Sequence, residues 1–277
     1  MTTIAEINRE LSALRASEND APVMRTSVMT HLAWVPGEWL VAAHEVLHGL
    51  AERHPSRTIV LVPEPDAPKG MDANVDQQCF PLAGSERSIC TETIEIHLGG
   101  EYASRPASIV MPLLISDLPV FCRWRGEPTW GSGELEQLVD LADRNVIDSR
   151  EWREPTRGYA RLVEILDRVA VSDIAWSLTL DWRLTLAKLW PTIAEQEIRV
   201  RGPAAEASLL RAWLASRLRR AVRPVESADA LEVQLGGEKI PAPRTEPVSP
   251  AELLSNELDR FSREPMYEEA VRAAAAA

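Results

Sequence analysis

Apolar residues recur at helical spacing from the first residues, where Ile4, Ile7, Leu11 and Leu14 share a face. Thr3, with Glu6 three residues later, makes a capping box for this helix, which is expected to dissolve at Ser17–Asp20. Met24 to Val35 reads as a strand, Glu38 to His54 as a helix closed by Pro55, and Thr58 to Pro65 as a buried strand. Pro63 to Cys79 is dense in Pro, Asp and Gly and reads as a long surface loop. Ile89 to Leu98 alternates as a strand. Arg105 to Ile115 suits a helix, Asp117 a tight turn, and Leu118 to Trp124 a buried strand that leaves the core through Arg123, Trp124 and Arg125. Pro119 fits the start of that strand, where its missing N–H is harmless.

Helices are expected over Gly131–Ala142 and Pro155–Val169, with a short strand at Asn145–Ser149 between them. Alternation of strand and helix over this half argues for a mostly parallel sheet covered by helices. The texture changes near Val171. Ser172 or Asp173 caps a long helix through Trp176, Leu180, Trp182, Leu186 and Trp190, stopped by Pro191. Strands at Glu197–Val200 and Ala230–Leu235 flank a helix over Ala204–Arg220. A Pro-rich stretch from Pro241 leads to a last helix near Ser249, and the final alanine run is expected to fray. The fold class is therefore α/β, with a mostly parallel N-terminal sheet flanked by helices at 1–170 and a smaller α+β domain at 171–277.

The net charge of −12 argues against a general nucleic-acid or anionic-membrane surface, though not against a local basic patch. The N-terminus lacks an apolar signal region, which points to a cytoplasmic protein. Cys79, Cys90 and Cys122 form no C-x-x-C pair, and free thiols in a reducing compartment are the expectation. His44-Glu45-x-x-His48 matches a zinc-hydrolase motif, in which two histidines on one helix face grip the metal and the Glu acts as base. A third ligand at His54 would need a chain reversal, but Ala51 stands where Gly would make it. On a straight helix His54 lies roughly 15 Å along the axis from His44. Another alternative is a small-molecule-binding α/β domain, with its ligand at the carboxyl ends of the strands near Asp117 or Trp124. Arg211, Arg217, Arg219 and Arg220, with Arg201 and Arg223, form a basic cluster suited either to a helix C-terminus or to a phosphate or acidic partner.

Four stretches occur in order: HPSRTIVLV from His54, MPLLISDLPVFCRWRG from Met111, DIAWSLTLDWR from Asp173 and LLRAWLASRL from Leu209. Together they make the chain resemble the glucose-6-phosphate dehydrogenase assembly protein family, OpcA, from about residue 25 to 240. The resemblance implies a non-catalytic protein whose partner is glucose-6-phosphate dehydrogenase, with no cofactor and no metal. It implies a structural reason for His54 at the His-Pro-Ser-Arg turn. Arg123 stands where relatives commonly carry a second Trp. Trp and Arg are the types most enriched among interface anchors, so Trp124, Arg125, Trp130, Trp176, Trp182, Arg183 and Arg217 are the partner-interface candidates. Helical spacing puts Trp176 and Arg183 on one side and Trp182 roughly 120° away.

Overall fold

The computed structural model describes residues 1–17, 23–24, 27–50, 53–81, 88–244 and 246–276. The expected helix end at Ser17–Asp20 falls almost wholly outside these residues, as does Ala51. In chain order the elements are α1 (Ile4–Ser17), β1 (Val23–Met24), β2 (Thr30–Trp34), α2 (Leu40–Leu50), β3 (Arg57–Glu64), β4 (Gly70–Pro81), β5 (Ser88–Gly99) and α3 (Pro106–Val110). Then come β6 (Val120–Trp124), α4 (Gly133–Leu141), β7 (Arg144–Ile147), α5 (Pro155–Leu166), β8 (Ala170–Asp173), α6 (Ile174–Leu178) and α7 (Leu180–Ala187). The chain finishes with β9 (Ile198–Gly202), α8 (Ala204–Leu218), β10 (Glu226–Ser227), β11 (Glu232–Leu235), β12 (Glu238–Lys239), α9 (Pro250–Leu258) and α10 (Pro265–Ala275).

The chain divides into two compact units, one of residues 1–146 with 249–259 and one of residues 147–248 with 260–277. The boundary thus lies ahead of the residue 170 expected from the sequence, because α5 and β8 go with the second unit. α9, near the C-terminus, goes back to the first.

The first unit carries a sheet in the order β1-β5-β3-β2-β6-β7, in which every neighbouring pair with a resolved register is parallel. β4 is antiparallel to β5. β2 and β6 are buried along their whole length, as central parallel strands covered on both faces are. Ala33, Val35, Val60 and Val62 pack against Ala43, Trp39, Leu40 and Leu47 at α2. Met29, Leu50, Phe121 and Val146 pack with Leu254 and Leu258 of α9. α2 and α9 approach so closely that a Cβ on Gly49 would stand 2.9 Å from the Ala251 Cβ. Asp117 makes its tight turn with φ of 65°, and the Val120 N–H then donates to an Asp143 carboxylate oxygen at 2.8 Å.

Three local expectations change here. The segment read as a loop is strand β4, registered residue for residue on β5 from Gly70↔Gly99 to Pro81↔Ser88. That register sets Cys79 opposite Cys90, and the two form a disulfide with Cα atoms 4.1 Å apart, so the expectation of free thiols holds only for the buried Cys122. Burial pushes the Cys122 thiol well above the usual thiol range. The helix expected over Arg105–Ile115 is α-helical only at Pro106–Val110 and continues as a single 3₁₀ turn, since Pro112 has no N–H to give the ladder.

The second unit packs α10 against α5 and α8. Tyr267, Ala270, Val271 and Ala274 of α10 are buried, and the alanine run expected to fray is helical through Ala275, with Ala277 outside the described residues. A small sheet in the order β10-β9-β11-β12 completes the unit, with β9 parallel to β10 and antiparallel to β11. The long helix expected after Asp173 is two helices. Thr179 ends α6 by turning its hydroxyl onto the Trp176 carbonyl at 2.7 Å, and α7 starts at the next residue.

Candidate functional site

In the first unit β2 lies between β3 and β6, and the chain winds one way from β2 to β3 and β5 and the other way to β6 and β7. The carboxyl ends of β2 and β6 therefore form a topological switch point, where open α/β sheets place their ligands. Both strands end here in tryptophan. Trp34 and Trp124, paired in register, have ring centroids 5.6 Å apart, and the Trp124 indole N–H donates to Asn145 Oδ1 at 3.0 Å. The Arg125 N–H donates to the Trp34 carbonyl at 3.0 Å, and its guanidinium lies 4.8 Å from the centre of the Trp39 ring. Gly126 follows with φ of 73°, and a Cβ there would stand 2.8 Å from Trp39 Nε1. Trp39 was not singled out by sequence; its place just past Pro36 and Gly37, which follow β2, was the signal.

Of the two residues named for a small-molecule site, only Trp124 is at this end. Asp117 precedes β6 and lies at the amino end of that strand. Trp124 is buried, with Arg125 and Trp130 part-exposed. The Trp130 indole N–H donates to Glu127 Oε1 at 3.1 Å.

The second unit gathers three more candidates inside itself. Trp176, Trp182 and Arg183 are all buried. Arg183 donates from Nε to Thr179 Oγ1 at 3.0 Å and stands 3.9 Å from Glu264, while the Trp176 indole N–H donates to the same carboxylate at 2.5 Å. Burial lowers the Arg183 pKa to about 10, against the opposing charge of Glu264. Burial leaves these three side chains little surface to offer a partner. What α6 and α7 expose instead is Leu180 and Leu184, four residues apart on one face, with Trp190 beyond them 64% exposed. Arg217 is exposed and pairs with Glu269.

Of the histidine motif, His44 joins a different network, while Glu45 and His48 are exposed. His44 Nε2 meets Glu95 Oε2 at 2.5 Å, and the other Glu95 oxygen meets His97 Nε2 at 3.1 Å. His97 Nδ1 meets Glu64 Oε1 at 2.7 Å. With a carboxylate on each ring nitrogen, His97 favours the imidazolium; burial lowers its pKa, but the bonds to Glu64 and Glu95 outweigh this and raise it. His54 is turned the other way, its Nε2 on Ser255 Oγ of α9 at 2.7 Å. It thus fastens α2 to α9, the structural role the resemblance implied for it. Among the described residues no three His, Cys, Asp or Glu side chains converge to hold a metal ion.

The first unit is thus an α/β sheet whose switch point is bordered by Trp34, Trp124, Trp39 and Arg125. Residues 48–164 match the family described as the glucose-6-phosphate dehydrogenase subunit N-terminal domain, and the resemblance to the OpcA family is borne out. Proteins carrying the name OxPP cycle protein OpcA from Nostoc punctiforme and Synechocystis sp. are 30% and 24% identical, each over 61% of this chain. A third, from Synechococcus elongatus, is 24% identical over 61% of the chain. The matched segments span 39%, 38% and 41% of these relatives, so the chain covers about two-fifths of their length. No helix among the described residues is long and apolar enough to cross a membrane.

Proposed function

We propose that this protein is a non-catalytic partner of glucose-6-phosphate dehydrogenase that favours the active oligomer of the enzyme and so supports the oxidative pentose phosphate pathway. The observation that carries the reading is the family match over residues 48–164, which covers most of the parallel sheet, from the end of α2 to α5. An activator of this kind works only by differential affinity: it must bind the active state more tightly than the inactive one. The part-exposed Arg125 and Trp130 in the first unit and the exposed Arg217 in the second are the candidates for that contact.

The test is the dehydrogenase assay with and without this protein across substrate concentrations, together with co-purification of the two. A rise in rate at limiting substrate, saturating with added protein, is expected. An unchanged rate with no co-purification would remove the proposal. Arg125→Ala and Trp130→Ala, titrated alongside, report whether the rim of the switch point makes the contact.

A further inference from the structure

α8 doubles back along β9, so its C-terminal end returns to the start of that strand. Four arginines from three segments meet there. Arg199 of β9 and Arg223 beyond α8 both place Nε on a single oxygen, Glu197 Oε1, at 3.1 and 2.5 Å. Arg211, from the middle of α8, donates through Nε to the carbonyls of Val222 and Arg223 at 3.2 and 3.1 Å. Arg220 donates to the carbonyls of Ile193 and Gln196, the two bonds that tie the end of α8 to the approach to β9.

The pattern of donors matters more than the count of charges. Arg199 and Arg211 donate hydrogen bonds through Nε, Arg223 sets its Nε beside Glu197 as an ion pair, and among the described residues the Nη groups of the three donate no hydrogen bond. Guanidinium groups anchored at Nε keep a planar pair of N–H donors aimed outward, the arrangement that grips a phosphate in two-point fashion. Among the described residues Glu197 is the one carboxylate paired with any of these four cations, meeting Arg199 and Arg223, while the neighbouring Arg201 is balanced by Glu226 at 3.2 Å. This local surplus stands on a chain of net charge −12. The α8 dipole accounts for cations at 217–220 in the last turn, but not for Arg199 on a strand or Arg223 past the helix.

We propose that the Arg199, Arg211, Arg220 and Arg223 cluster around Glu197 is a binding site for a phosphate group carried by a small molecule. The site is independent of the dehydrogenase reading. Inorganic phosphate, a sugar monophosphate and a nucleoside diphosphate share this chemistry, and comparing them tells which carrier the surroundings accept.

Calorimetric titration of the full chain with inorganic pyrophosphate, against sodium sulfate at equal ionic strength, tests the proposal. Saturable binding with a midpoint on the order of 1 mM is expected. Arg223→Ala is expected to weaken it about tenfold and Arg223→Lys nearly as much, since lysine keeps the charge but loses the fork. Both side chains of the Arg199–Arg223 pair are about half exposed, at 43% and 58%, so these variants should melt like the wild type. Equal heats from pyrophosphate and sulfate, or binding unchanged in both Arg223 variants, would overturn it. So would loss of dehydrogenase binding in Arg223→Ala when the wild type binds no phosphate, which would assign the cluster to an acidic protein surface.

Discussion

The guanidinium carbon of Arg183 lies 3.6 Å from the centre of the Trp176 ring. Such a stack in a buried place differs in kind from the Arg125–Trp39 stack, which is part-exposed at 4.8 Å. Desolvation makes a cation over an indole face worth more, and Arg183 also fills space with its stem. Arg183→Ala is expected to destabilise the protein by about 2–4 kcal/mol through loss of the buried stack and of the space its stem fills, with Glu264 still paired to Arg260, whereas Arg125→Ala should cost about 1 kcal/mol or less. Urea unfolding of the two variants side by side checks this. Equal, small losses would mean that the Arg183 stack is not a structural contact.

Gly126 is caught between its own backbone and Trp39. Its φ of 73° disfavours any Cβ, and an added one would meet Trp39 Nε1 at 2.8 Å. Gly126→Ala should cost roughly 1–3 kcal/mol. In a Trp39→Leu background the steric share should disappear and only the backbone share remain, a coupling that a double-mutant cycle on thermal melts would read directly.

Asp173 gives the fold a pH dependence. Its carboxylate is fully buried and accepts the Ser149 and Ala175 N–H groups through Oδ1 at 3.0 Å each, while Oδ2 has no hydrogen-bond partner among the described residues. Burial, reinforced by the charge of Asp148, raises its pKa to about 7. A carboxyl with a raised folded pKa binds its proton more tightly when folded. Its contribution is therefore full below the unfolded value near 4 and is lost as pH rises to about 7. Asp173→Asn keeps the accepting oxygen and cannot ionise. Its stability relative to wild type should improve on going from pH 4 to pH 8, by on the order of 2–4 kcal/mol. Chemical denaturation at the two pH values measures the gap, and a gap that does not change would mean that Asp173 does not titrate in this range.

Thiol counting checks the disulfide. Under denaturing conditions without reductant, one thiol per chain should react, that of Cys122, rising to three after reduction. In the native state Cys122 is buried and its reaction should be slow. Reduction should cost at most about 2–3 kcal/mol, because the bridge closes a short loop between strands already paired.

Much of the parallel sheet could be read from the sequence because its strands are short apolar runs between Gly and Pro stops. β4 could not. Its inward residues Met71 and Val75 alternate with Asp72, Asn74 and Asp76, and that polar edge is also the composition of a loop. Only its pairing with β5 makes it a strand, and only that register shows that Cys79 faces Cys90. The break at Thr179 was hidden in the same way, since Thr is tolerated inside helices and its hydroxyl bond to Trp176 depends on the fold. The terminal alanines looked frayed because alanine carries no amphipathic signal, yet its small side chain is what lets α10 come close to α5 and α8. For the candidate site, residue type singled out Arg and Trp positions without regard to their burial. It could not tell Arg183, turned inward onto Trp176, from Arg125 at a rim, because that choice is made by packing.

The return of α9 to the first unit bears on how the gene can be cut. A stop codon after Val248 would take α9 away from Met29, Leu50 and Phe121, and would also strip α10 from α5 and α8. Both hydrophobic interiors would be laid open by one deletion. Neither half can then be made as an uninterrupted stretch of coding sequence. An isolated version of the first unit needs residues 249–259 spliced on behind residue 146, and nonsense or frameshift alleles late in the reading frame should behave as null alleles cleared by proteolysis.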